Sequence, residues 1–190
     1  MPRLILYAGP NGAGKSTLRD VGNDQIDVVI DADRIAKTLG GPQNEVAAGR
    51  AAITLFQASI AQAKSISLET TLSGNTILQR IANAKRAGYE VEIRFVALAT
   101  PKLHINRVAQ RVRNGGHHIS PETVMRRYWQ SLKNLPAAIS LADHVKIFDN
   151  SEQTSRILFR SEGRLILQLD HNPPAWFQTV LPAIRAALTG

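Results

Sequence analysis

Gly9-Pro10-Asn11-Gly12-Ala13-Gly14-Lys15-Ser16 is the feature that most restricts what this chain can fold into. The spacing G-x-x-x-x-G-K-S carries weight only where a strand runs into it and a helix leaves it, because the loop hangs between the two. Leu4 to Ala8 is an apolar run of strand length, and Lys15 to Val21 can begin a helix. In that setting glycines let backbone N–H groups turn inward around phosphate oxygens, and the helix N-terminus adds partial positive charge. Lys15 then supplies an ammonium to the β- and γ-phosphates, Ser16 a hydroxyl to magnesium and Thr17 a hydroxyl to a neighbouring phosphate. The expected ligand is ATP or GTP with Mg2+. The bland alternative is a glycine-rich turn with an incidental lysine.

Beyond the loop, apolar runs and their punctuation alternate between strand and helix. Ile26 to Ile30 is continuous and β-branched, as a strand buried on both faces requires, and it ends at Asp31-Ala32-Asp33. Glu45 to Ala63 has helical composition, and Ser65 to Leu68 is a short strand ending at Glu69. Asn75 to Ala87 reads as a helix closed by Gly88, and Tyr89 to Leu98 alternates before turning fully apolar, as a central strand does. Pro121 opens a helix toward Leu135, and Val145 to Phe148 is a fifth strand. Arg156 to Phe159 and Arg164 to Leu169 form a hairpin at an appended edge, and Pro174 opens a last helix. The expectation is an α/β fold, a P-loop NTPase three-layer sandwich around a mostly parallel five-stranded sheet. One domain spans 1–190, with a core of 1–151 and the hairpin and helix in 152–190.

Length supports one sizeable core and no more, since 190 residues are too few for two enzymatic domains. No apolar stretch approaches a membrane span, and Met1-Pro2-Arg3 runs straight into Leu4, so the start is expected to be fold rather than leader. The absence of cysteine excludes disulfides and fits a cytoplasmic protein. Lys plus Arg outnumber Asp plus Glu by 23 to 15, an excess that suits either nucleic acid or a polyanionic small molecule. The basic residues concentrate between Lys102 and Lys133, inside the domain, with no basic tail and no basic-aromatic stripe. That placement favours phosphates of a small molecule and makes nucleic acid an unexpected partner.

Ligands of open α/β sheets lie beyond the carboxyl ends of the strands, where Asp31, Asp33 and Glu69 would project. Phosphoryl transfer to a hydroxyl needs a carboxylate to orient the hydroxyl and take its proton, and Asp33 is the candidate base. Asp31 could equally cap the helix Arg34 to Leu39, with Asp33 in its first turn. Glu69, with Thr70 and Thr71 beside it, would hold a magnesium-bound water or an acceptor hydroxyl, the alternative being a plain strand-end glutamate. Arg107 and Arg111 share a helix face, Gly115-Gly116 break that helix, and Arg126-Arg127 follow on the next. Two helices joined by a glycine hinge and carrying arginines inward make a lid over the triphosphate, against the alternative of a solvated basic helix. His117 and His118 have no third ligand at metal spacing. No strand ends in Asp-Glu as in a motor ATPase.

With these residues in hand, the chain resembles the zeta-toxin-like P-loop kinases, in particular their short bacterial members. The resemblance covers most of 4–151 and rests on AGPNGAGKST (Ala8 to Thr17), IDADRIA (Ile30 to Ala36), SLETTLSG (Ser67 to Gly74), RVAQRVRNGGHHIS (Arg107 to Ser120), RRYWQSLKNL (Arg126 to Leu135) and FDNS (Phe148 to Ser151). It implies that Asp33 is the catalytic base, that Glu69 contacts acceptor or magnesium, and that Arg107 with a later arginine clamps the phosphates. That later arginine is one of Arg111, Arg113, Arg126 and Arg127. It further implies an acceptor such as a UDP-amino sugar and an antitoxin partner. The chain is shorter than characterised zeta toxins and departs from them at GGHHIS.

The leading expectation is therefore an ATP-dependent phosphotransferase in which Lys15, Asp33, Arg107 and Arg111 act on the phosphoryl group. Asp31, Glu69, Thr70, Thr71 and Arg126 would meet the acceptor. The alternatives are a nucleotide-hydrolysing switch and a nucleic-acid end kinase.

Overall fold

The computed structural model describes residues 1–22 and 24–189. In chain order the elements are β1 (Arg3–Ala8), α1 (Lys15–Val21), β2 (Val28–Ile30), α2 (Ala32–Thr38), α3 (Glu45–Ala61), β3 (Ile66–Thr70), α4 (Thr76–Arg86) and β4 (Glu90–Ala97). There follow α5 (Pro101–Arg113), α6 (Pro121–Ile139), β5 (His144–Asp149), β6 (Arg156–Glu162), β7 (Leu165–Leu169) and α7 (Ala175–Thr189). All strands join one sheet in the order β2-β3-β1-β4-β5-β6-β7. The first five are parallel, and β6 and β7 continue the sheet antiparallel.

The five expected parallel strands are all present, and the sheet has seven strands because the hairpin hydrogen-bonds along β5. Its first strand is no mere appendage. Leu158 and Phe159 are fully buried, and α7 returns across them so that Phe177 stacks obliquely on Phe159 at 6.3 Å. Burying aromatics of this size contributes roughly 2–3 kcal/mol each. The hairpin turn falls at Gly163-Arg164, because β6 runs to Glu162, three residues beyond the expected Phe159.

Side chains alternate across a strand, and the two faces of this sheet differ sharply. Leu4, Leu6, Ile66, Leu68, Val91, Ile93, Phe95, Val145 and Ile147 face one way, into a core shared with α3, α4, α6 and α7. On the other face α1 lays Leu18 against a small cluster of Ala13, Val96 and Phe148. The remainder of that face is a charge network. Arg94 grips both carboxylate oxygens of Asp24 at 2.6 and 2.7 Å and donates to Glu92 at 2.8 Å, while Lys146 and Arg3 reach the same Glu92. The alternation of Glu90, Glu92 and Arg94 in the central strand β4 thus marks a paired, half-sunken network, which is how charge is tolerated there.

Capping fixes the starts of α5, which lines the cleft, and of α6 behind it. Thr100 accepts from Leu103 N–H and Ser120 from Thr123 N–H, each with a proline at the first helical position. Both helices therefore start where their sequence dictates. Among the described residues no helix is long and apolar enough to cross a membrane.

Candidate nucleotide and acceptor cleft

The phosphate loop connects β1 to α1, and Gly14, with φ 96, is the residue that turns the chain into the helix. Its base is fixed where Gly9 N–H donates to the Thr70 carbonyl at 3.1 Å. Lys15 is folded back on the loop and buried: Nζ donates to the Pro10 carbonyl at 3.0 Å and lies 3.8 Å from Glu69 Oε1. Burial pushes its ammonium below the usual lysine range, with the Glu69 carboxylate opposing the shift. A phosphate is a far stronger partner for that ammonium than a peptide carbonyl. Ser16 hydroxyl donates to Glu69 Oε2 at 2.9 Å, and burial raises the Glu69 carboxyl above the usual range against the pull of Lys15. Thr17 is exposed in the first turn of α1.

Asp31 and Asp33 lie at the start of α2 with different tasks. Asp31 is its N-cap, accepting from Arg34 N–H at 3.2 Å, and it is also held by Arg19 at 3.1 Å. The capping role weighed for it from sequence is therefore real, and it still lines the cleft. Asp33 sits exposed in the first turn, 3.8 Å from Arg111 across the cleft. Glu69 is the penultimate residue of β3, paired with Tyr7 of β1 where that strand runs into the phosphate loop. Just beyond it, the Thr70 hydroxyl accepts from Leu72 N–H and the Thr71 hydroxyl bonds that of Ser73, so both brace the turn.

From the other wall come Arg107 and Arg111 of α5. Arg107 donates to the Asn150 carbonyl at 2.7 Å, and Arg111 donates weakly to the His117 carbonyl at 3.4 Å. The Nε of Arg111 is buried without a partner among the described residues. His117 closes the cleft edge by pairing with Glu45 of α3, while His118 is exposed. Arg126 is exposed and outside the lining of the cleft. Its neighbour Arg127 is the one that reaches the phosphate loop, donating to Asn11 Oδ1 at 3.0 Å. A helix turns about 100° per residue, so adjacent arginines cannot share a target.

Several cleft residues escaped the sequence reading. Arg19 bridges Asp31 and Glu69 at 3.1 and 3.3 Å, and its spacing of four from Lys15 was the available signal, since both then share a face of α1. Arg34 and Lys37 of α2, Gln110 of α5 and Asn114 at its C-terminal cap also line this cleft of about 890 Å³. That volume suits a triphosphate together with a second molecule. The oxygen donors Ser16 and Glu69, in contact and with Asp31 adjacent, fit magnesium, a hard cation that takes oxygen ligands.

Comparison with known proteins gives this geometry a context. A protein of Haemophilus influenzae, described as uncharacterized, is 41% identical over 130 residues, which are 66% of this chain and 92% of that one. Among solved structures, AvrRxo1-ORF1:-ORF2 with ATP superposes with a TM-score of 0.72 at 14% identity, covering 100% of this chain and 76% of that one. The PezAT toxin–antitoxin system of Streptococcus pneumoniae gives 0.57 at 16%, covering 100% and 88%. The Pnkp1/Rnl/Hen1 RNA repair complex gives 0.58 at 17%, covering 70% and 45%. These likenesses concern the fold. Residues 1–162 match the zeta toxin family, a span that runs from the phosphate loop through both walls of the cleft, and the chain belongs to that family.

Proposed function

We propose that the protein is an ATP-dependent phosphotransferase that moves the γ-phosphate to a hydroxyl of a small molecule. The observation that carries this reading is the single cleft of about 890 Å³ onto which Ser16, Asp31, Asp33, Glu69, Arg107 and Arg111 all open. A hydrolase needs room only for water beside its nucleotide, whereas this cleft extends along α2 and α5. Membership of the zeta toxin family and a fold shared with a protein solved with ATP support the same reading.

In this account Lys15 leaves the Pro10 carbonyl for the β- and γ-phosphates. Asp33 accepts the proton of the acceptor hydroxyl as its oxygen bonds to the γ-phosphorus and the bond to the ADP oxygen breaks. Arg107 and Arg111, which both line the cleft, meet the charge that spreads over the transferring group. Arg19 bridges Asp31 and Glu69 and holds both carboxylates in place. Ser16 and Glu69 would hold magnesium, which when bound would supply charge neutralisation at the phosphates.

The cleft carries Arg34 and Lys37 on α2 and Arg111 on the facing α5, beside the acids Asp33 and Glu45, so an acceptor with anionic groups as well as hydroxyls fits it, and a UDP-amino sugar meets that requirement. The protein would act as one cytoplasmic domain, with an antitoxin as its protein partner by analogy with the PezAT system. The test is ADP formation measured with and without a deproteinised small-molecule extract. Turnover stimulated by the extract supports transfer; equal turnover in both favours the hydrolysing switch. Stimulation by oligonucleotides that fades steeply with salt would favour the nucleic-acid end kinase.

A further inference from the structure

A phosphate loop works only if its peptide N–H groups point into the cradle, and two of them here are aimed by side chains from outside the loop. In a trans peptide the C=O of one residue and the N–H of the next point in opposite directions. Whatever holds the carbonyl outward therefore turns the following N–H inward.

His104 of α5 holds the first. Leu98 N–H donates to its Nε2 at 3.0 Å, so Nε2 carries no proton and the proton resides on Nδ1, which donates to the Asn11 carbonyl at 2.8 Å. The ring is fully buried, with its edge against Tyr128 at 5.3 Å, and cannot swing away. The Asn11–Gly12 peptide is thereby oriented with Gly12 N–H toward the cradle. Arg127 secures the same residue by its side chain.

Asn150, just past β5, holds the second. Its Nδ2 donates to the Ala13 carbonyl at 2.8 Å, which turns Gly14 N–H inward. Asn150 is itself anchored by its backbone: its N–H donates to the Ala97 carbonyl and its carbonyl accepts from Arg107. The preceding Asp149 is pinned by Trp176 Nε1 at 3.0 Å. Glycine is required at 12 and 14 by their positive φ of 76 and 96, and the same two partners lie close, one to each. A β-carbon on Gly12 would sit 2.9 Å from the His104 carbonyl oxygen, and one on Gly14 would sit 2.5 Å from Asn150 Nδ2.

We propose that His104 and Asn150 are positioning residues that preset the phosphate loop by fixing the Asn11 and Ala13 carbonyls outward. Neither is needed to touch the nucleotide. The inference rests on the reading of the loop as a nucleotide phosphate site, and the test separates the two. The wild-type protein, His104→Leu, His104→Asn and Asn150→Ala are titrated with ATP and, separately, with inorganic tripolyphosphate, and thermal unfolding is recorded for each.

Wild-type binding of both ligands upholds the site, and binding of neither overturns the functional reading and this proposal together. With a wild type that binds, Asn150→Ala should weaken both ligands on the order of tenfold, the effect of one lost hydrogen bond. It removes only the Nδ2 contact and leaves the backbone anchors of residue 150 in place. His104→Leu should weaken both similarly. His104→Asn, whose amide can replace the Nδ1 donor, should recover most of the loss at a melting temperature no higher than that of His104→Leu. Weakening of ATP but not of tripolyphosphate would place Asn150 at the base or ribose and overturn the proposal. Wild-type affinity in Asn150→Ala overturns it as well, even if His104→Leu fails to fold.

Discussion

His104 makes the stability of this protein depend on pH in a calculable way. Burial drives its imidazole from an ordinary 6.5 down to about 4, with Lys15 and Arg107 adding to the shift and the Asn11 carbonyl and Asp149 opposing it. The unfolded chain takes up a proton at this site below pH 6.5, whereas the folded protein declines it until about pH 4. In that window the unfolded state binds more protons, so stability falls as pH falls. At roughly 1.4 kcal/mol per pH unit the interval is worth about 3 kcal/mol in full, and about 2 kcal/mol between pH 7 and pH 4.5. That is a large share of the ~5–15 kcal/mol by which domains of this kind are stable. Carboxylates held low by cationic partners, such as Glu92 and Asp24, lose stability on acidification too, so the comparison must be differential. Urea unfolding of wild type and His104→Asn at pH 7 and 4.5 isolates the histidine. The wild type should lose about 2 kcal/mol more than the variant over that range. An identical pH dependence in both proteins would show that His104 is not held neutral, and the tautomer assigned above would be wrong.

Other expectations follow from the cleft. Lys15→Ala removes a buried, desolvated ammonium, so the ligand-free protein should unfold within about 1 kcal/mol of wild type while ATP affinity drops at least tenfold; calorimetry and nucleotide titration check both. Arg111→Lys retains charge but loses the planar fork and its orphan Nε, so kcat should fall about tenfold or more with ATP dissociation changed much less. Arg126→Lys, on the exposed side of the same lid, should leave steady-state kinetics at wild-type values.

Most of the architecture was legible because its signals are local. The phosphate loop, the alternation of strand and helix and the proline-capped starts of α5 and α6 all lie within short windows. What escaped notice depends on distant pairing. His104 looks like any helix residue until Asn11, 93 positions away, is placed against it. The charges of β4 acquire a reason only when Asp24 and Lys146 converge on Arg94 and Glu92. Arg126 and Arg127 differ only by helix phase, which the pattern around them left ambiguous until α6 buried Tyr128, Leu132 and Leu135 in the core. The hairpin read as an edge because the burial of Phe159 is supplied by α7, beyond it in sequence.

The central claim is that Asp33 serves a hydroxyl acceptor across the cleft from the phosphate loop. Its most direct measurement is transfer of label from γ-labelled ATP into the small-molecule fraction of an extract, comparing wild type with Asp33→Asn. The account predicts a labelled phosphomonoester with wild type and at least a hundredfold less with Asp33→Asn, while ATP dissociation constants agree within about threefold. Label appearing only as inorganic phosphate, or full transfer by Asp33→Asn, would contradict it.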